Sequence, residues 1–160
     1  MFRNSLIAGA TGLLLLAGGC DALAFLFLPN TVTVTLVNQA SGTVDAEIFI
    51  SDQQDIPRSL LTQVDHDIVD QLGERIDRTV AAGGQTSFFR SCDDLQAIVV
   101  GDADLNILGG LGPSASSDVL RDNEDFNCGD EIQMIFRGGG NILDFDVDLV
   151  VVPGTLGSGL

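Results

Sequence analysis

Histidine is the side chain most often used to move protons near neutral pH, and this chain has one, His66, set between Asp65 and Asp67. Any histidine-based acid, base or triad must therefore use His66, whose polar neighbours fit a solvated surface residue. There is no lysine, so neither a Schiff base nor an ammonium grip on phosphate is available. No Gly-x-Ser-x-Gly elbow occurs, and Gly112-Pro113-Ser114-Ala115-Ser116 reads as a loop. Carboxylates, by contrast, are abundant, with 19 Asp and 4 Glu. Two of them could cooperate in glycoside hydrolysis, but where acids are this common their presence singles out no pair. The chain is expected not to be an enzyme, with a carboxylate-dependent hydrolase as an alternative.

Clustered oxygen ligands are what a hard cation requires. The densest cluster runs from Asp122 to Glu131, and Asp122, Glu124, Asp125 and Asp130 are its candidate calcium ligands. No cofactor is expected, with calcium as the alternative. The spacing lacks the glycine and distal glutamate of an EF-hand loop. A second acidic series, Asp144, Asp146 and Asp148, places carboxylates roughly 7 Å apart along one strand face. That is too far to share an ion without a neighbouring strand.

The amino terminus carries a different chemistry. Arg3 precedes an apolar run from Leu6 to Leu16, which ends in Ala17-Gly18-Gly19-Cys20. One basic residue, a short apolar stretch and small residues before a cut site form a secretory signal peptide. An uncleaved membrane anchor over Leu6–Leu28 is long enough to span, but it would place Asp21 near mid-bilayer, at about 2.5–3.5 kcal/mol. The Gly19-Cys20 ending resembles the lipobox of bacterial lipoproteins. That resemblance implies cleavage before Cys20, a diacylglyceryl thioether on Cys20 and an acylated new terminus. It places the protein in the cell envelope, lipid-anchored to a bacterial membrane and facing the periplasm or exterior.

With Cys20 taken by lipid, Cys92 and Cys128 are the only cysteines left. In an oxidising compartment such a pair reads as a disulfide. Closing that loop constrains the unfolded chain by roughly 4 kcal/mol in the chain-entropy picture. Two distant cysteines and one histidine make a thin metal-ligand set by comparison.

About 140 residues remain after the signal, enough for one domain with a real core. The formal net charge is −16. A chain this acidic repels phosphate backbones, so nucleic acid is excluded as a partner. The acids alternate with apolar residues instead of massing in a tail, which argues against disorder.

The alternation has the period of strands. Val32, Val34 and Leu36 oppose threonines, and Val44–Ile50 follows after the turn Asn38–Gly42, so the two segments read as a hairpin. Gln85–Arg90, Leu95–Val100, Glu131–Arg137 and Leu143–Val151 read as further strands. In the last, Leu143, Phe145, Val147, Leu149 and Val151 share one face. The middle differs. Pro57 could open a short helix, and Asp65 or Asp67 could cap another in which Ile68, Leu72 and Ile76 recur at helical spacing. The ten residues Thr79–Phe88 resemble a loop-into-strand stretch of immunoglobulin-like and fibronectin-like secreted modules, which implies a sandwich and no activity.

The expected fold is therefore mainly β, an antiparallel β-sandwich of about seven to eight strands with one or two short helices in the middle. The expected organisation is a signal peptide over 1–19, a lipidated N-terminus and tether over 20–30, one sandwich domain over 31–153 and a flexible tail over 154–160. The expected function is a lipid-anchored envelope protein with a non-catalytic interaction or structural role. Its partners are the membrane, through the lipid, and an envelope protein. A calcium-binding envelope module is the other alternative.

Overall fold

The computed structural model describes residues 30–62, 73–107, 112–138 and 144–154. Cys20, His66 and the helix start at Asp65 or Asp67 lie outside them.

Residues that alternate apolar and polar can bury only one side, and two such sheets stacked face to face satisfy both. In chain order the elements are β1 (Thr31–Asn38), β2 (Thr43–Ser51), the one-turn helix α1 (Arg58–Leu61), β3 (Glu74–Val80), β4 (Gln85–Ser91) and β5 (Ala97–Asn106). They continue as β6 (Ser114–Ala115), β7 (Leu120–Arg121), β8 (Glu131–Gly138) and β9 (Phe145–Val152). The first sheet has the order β4-β1-β8-β9; the second is β3-β2-β5-β6, with β7 also against β5. Nine strands appear among the described residues, more than expected, because the two-residue β6 and β7 complete one side of β5. The serine-rich stretch read as a loop contributes β6.

Between the sheets, Val32, Val34, Leu36, Ile132, Met134, Phe136, Phe145 and Val147 meet Val44, Ala46, Ile48, Ile50, Ile98, Val100, Ala103 and Leu105 in one continuous core. Each large side chain buried there contributes roughly 1.5–3 kcal/mol relative to exposure. Where the two sheets meet at β3 and β4, the Phe88 ring has the guanidinium carbons of Arg78 and Arg90 at 5.7 and 5.5 Å from its centroid.

Three local readings are corrected. The expected β1–β2 hairpin does not form: β1 pairs with β4 and β8, and β2 with β3 and β5, so the turn carries the chain from one sheet to the other. Asn38 holds that crossing. Its buried Nδ2 donates to the carbonyls of Gly42 (2.8 Å) and Val80 (2.9 Å), while its Oδ1 accepts from the Ala40 amide at 2.9 Å. A tight hairpin could not offer that side chain a carbonyl from β3. Second, β1 and β8 are parallel, so the first sheet is mixed. Third, Ile76 is not helical; it lies in β3 opposite Ile48, where its buried side chain joins the core.

Strand β5 also runs past the expected end at Val100. A register shift between Glu47 and Ile48 leaves Gly101 as the extra residue, so Val100 and Ala103 both face inward. A Cβ at Gly101 would collide with the Phe49 ring, which accounts for glycine there. Phe49 in turn packs with Ile56, Leu61, Ala97 and Val99 in a second, smaller core on the outside of the second sheet, roofed by α1.

Candidate functional site

Cys92 and Cys128 form the expected disulfide, with Cα atoms 5.5 Å apart. Cys92 directly follows β4 and Cys128 shortly precedes β8, and these two strands flank β1. The bridge therefore spans the head of β1. There the Asn30 carbonyl accepts from the Cys92 amide at 2.9 Å and the Thr31 carbonyl from the Gly129 amide at 3.2 Å. The point where the N-terminal segment enters the domain is covalently and hydrogen-bond clamped.

The acidic loop beside Cys128 is built around Phe126, which is buried to 1 % exposure. Three of the candidate calcium ligands are engaged in hydrogen bonds in or beside that loop. Asp130 accepts from the amides of Asn127 (2.8 Å) and Gly154 (2.9 Å), and Asp125 from that of Arg121 (2.9 Å). Asp122 is buried; its Oδ2 accepts from Asn123 Nδ2 at 2.7 Å, while its Oδ1 has no protein partner among the described residues. Glu124 is exposed. Asp122, Glu124, Asp125 and Asp130 are not brought together as a ligand set: among the described residues no three acidic, histidine or cysteine side chains converge on a cation position.

The two outer faces of the sandwich carry different chemistry. On the second sheet, Asp45 lies opposite Asp104 and Glu47 opposite Asp102, with Thr79 and Asp77 of β3 beyond them. Arg75 reaches Glu47 and Asp77 at 2.8 Å each, and Thr79 Oγ1 donates to Asp45 at 2.6 Å. Partial desolvation first, and the charges of Asp102 and Asp45 second, push the Asp104 carboxyl above its ordinary value. A strand ending at Val100 misses Asp102 and Asp104, although the Gly101-Asp102-Ala103-Asp104-Leu105 alternation marks its continuation.

The outer face of the first sheet is nearly uncharged along β4 and β1. Cross-strand register sets Phe89, Thr33, Glu131 and Val152 in one row, Ser87, Thr35, Gln133 and Val150 in the next, and Gln85, Val37, Ile135 and Asp148 in a third. Phe89, Val150 and Val152 are 49 %, 40 % and 39 % exposed, three of the four large apolar side chains on the described surface. A shallow groove of about 420 Å³ runs along β1, with Glu131 as its one carboxylate among the described residues. Thr35 and Ser87 share a hydrogen bond of 3.0 Å on its floor. Beyond Glu131, the charges on this face lie toward the far end of β8 and β9, where Arg137 pairs with Asp148 at 3.0 Å.

Every arginine among the described residues has an internal partner. Arg58 donates to the Ser117 carbonyl, and Arg121 to those of Gln54 and Ile56. Arg78 donates to the Asp77 carbonyl at 2.9 Å and Arg90 to Glu74 at 2.8 Å.

A scan against models of protein families finds no match, and a search of curated proteins finds none. Solved structures give remote likenesses. The type VI secretion lipoprotein TssJ1 of Pseudomonas aeruginosa aligns with TM-score 0.47 and 11 % identity, over 79 % of this chain and 98 % of that one. A protein from Eubacterium rectale gives 0.42 and 12 %, over 87 % and 99 %. Serratia marcescens Lip, a membrane-bound component of the type VI secretion system, gives 0.36 and 10 %, over 77 % and 99 %.

Proposed function

We propose that this protein is a lipid-anchored, non-catalytic envelope domain whose contact surface is the outer face of the first sheet. The observation that carries this reading is chemical contrast. On a chain of net charge −16, three of the four large apolar side chains left exposed among the described residues gather on one sheet face beside a groove. Apolar side chains concentrated on one exposed face mark an interaction site. The groove is a poor setting for glycoside hydrolysis, which needs two carboxylates held about 5–9.5 Å apart across a bound substrate; among the described residues one carboxylate lines it. The anchoring half of the proposal rests on the Gly19-Cys20 ending, and the clamped entry of β1 beneath the disulfide gives a tether a firm point of attachment.

Photo-crosslinking in intact cells tests the proposal. A photoreactive residue at Phe89 or Val150 is expected to give a discrete crosslinked product, and one at Asp77 on the opposite sheet is expected to give none. Equal yields at both faces, or none at Phe89 and Val150, would overturn the assignment.

A further inference from the structure

We infer that the outer face of the first sheet is closed by a second copy of the chain, the two faces packing about a two-fold axis that runs parallel to the strands between β1 and β8. The inference rests on reading that face as a contact surface, and it names the partner.

Register carries the argument. Such an axis exchanges β4 with β9 and β1 with β8, and keeps each cross-strand row opposite itself. Phe89 of one copy then meets Val152 of the other, so two exposed apolar side chains cover each other, and Ser87 meets Val150. Thr33 meets Glu131, a hydroxyl donor against a carboxylate, and Thr35 meets Gln133. In the third row Val37 meets Ile135, and the Gln85 amide meets the Asp148 carboxylate. Asp146 falls beyond the first residue of β4. The acids of this face among the described residues, Glu131, Asp146 and Asp148, thus never face an acid of the other copy. A two-fold perpendicular to the strands fails this test. Depending on the row it passes through, it sets Val152 or Val150 against Asp148, and it points the heads of the two β1 strands in opposite directions. The parallel axis points both heads the same way, so two chains lipidated at Cys20 stand side by side on one membrane.

Charge and area agree with this arrangement. A chain of net charge −16 resists self-association, but packing through the first sheets turns the acidic second sheets of both copies outward. About three sheet separations of roughly 10 Å each lie between those sheets, against a screening length of about 8 Å at physiological salt. Four strands about 4.8 Å apart and about 27 Å long give roughly 500 Å² per copy. The total of about 1,000 Å² stands at the lower edge of specific interfaces. Anchoring both copies in one membrane raises the effective concentration for so small a contact, so pairing belongs to the lipidated protein.

Cells producing two differently tagged full-length copies, one Phe89→Cys and the other Val152→Cys, supply the test. Within one chain these positions lie three strand spacings apart, about 14 Å; across the axis they are neighbours. Treating isolated membranes with a short bismaleimide is expected to give a two-chain product that carries both tags. Membranes holding either variant alone are expected to give severalfold less. Adding Gln85→Glu, at an exposed position, to the Phe89→Cys copy sets a carboxylate opposite Asp148 of the other copy and is expected to lower the mixed yield severalfold. No two-chain product, equal yields from mixed and single-variant membranes, or a mixed yield indifferent to Gln85→Glu would overturn the inference. A photo-crosslinked product at Phe89 that contains a different protein and no second copy would overturn it too, and would leave the contact-surface reading intact. That reading falls separately, if photo-crosslinking at Phe89 and Val150 yields nothing.

Discussion

The two outer faces of the sandwich start from the same kind of strand and end in opposite states. On the second sheet, part of the outer surface is covered by the chain itself. Phe49, Ala97 and Val99 are buried beneath Ile56 and Leu61, and the remainder is acidic. On the first sheet, outward Phe89, Val150 and Val152 receive no such roof from the described residues. A fold that can cover apolar outward residues on one sheet and leaves them open on the other points to use of the open ones.

Breaking the covered face should have the largest effect. Leu61→Ala removes a fully buried side chain and should cost about 2–5 kcal/mol, read by denaturant unfolding. A loss under about 0.5 kcal/mol would show that α1 is not a structural roof. The disulfide comes next. Cys128→Ala should cost about 2–5 kcal/mol and loosen the first sheet before the second, because the bridge joins the two strands that flank β1. Hydrogen exchange checks this: amides of β4, β1 and β8 should lose protection before those of β2 and β5, and uniform loss would contradict the local role.

Smaller effects sharpen the acidic side of the comparison. Asp104 faces Asp45 across the strands, and like charges so placed destabilise. Asp104→Asn should therefore stabilise the domain by a few tenths of a kcal/mol, about the scale of exposed charge pairs, and less at high salt. The sign with pH follows from the raised carboxyl pKa in the folded state. Its penalty is present above that pKa and is relieved as pH falls through it. The advantage of Asp104→Asn should then shrink on acidification; a constant or growing advantage would contradict the assignment. Calcium added to metal-stripped protein should leave Tm unchanged, since the carboxylates of Asp125 and Asp130 are engaged by the amides of Arg121, Asn127 and Gly154. A calcium-dependent rise would restore the Asp122–Asp130 loop as a site.

How far the sequence alone reaches follows from these elements. Val32, Val34 and Leu36, and Phe145 and Val147, reveal their inward faces because a strand's period is 2 and one side must leave water. The Cys92–Cys128 pair follows from counting cysteines once Cys20 is taken by lipid. The turn Asn38–Gly42 misleads because its local chemistry is the same whether the next strand pairs beside β1 or stacks across from it. What decides is the Val80 carbonyl, 42 residues from Asn38. Ile76 misleads because its spacing from Leu72 suits a helix turn as well as a strand boundary. The neutral face was not legible, since its rows assemble from β4, β1, β8 and β9, whose order and mixed direction no single segment encodes.

The claim at the centre of this account is that Phe89 is exposed for contact and not for folding. A single protein, Phe89→Asp, measured two ways, tests it: thermal unfolding in vitro and photo-crosslinking from Val150 in intact cells. The account predicts unfolding within about 0.5 kcal/mol of the parent, as for a surface change away from any buried feature, together with loss of the crosslinked product. Crosslinking that persists undiminished, or a drop in stability on the scale of Leu61→Ala, would contradict it.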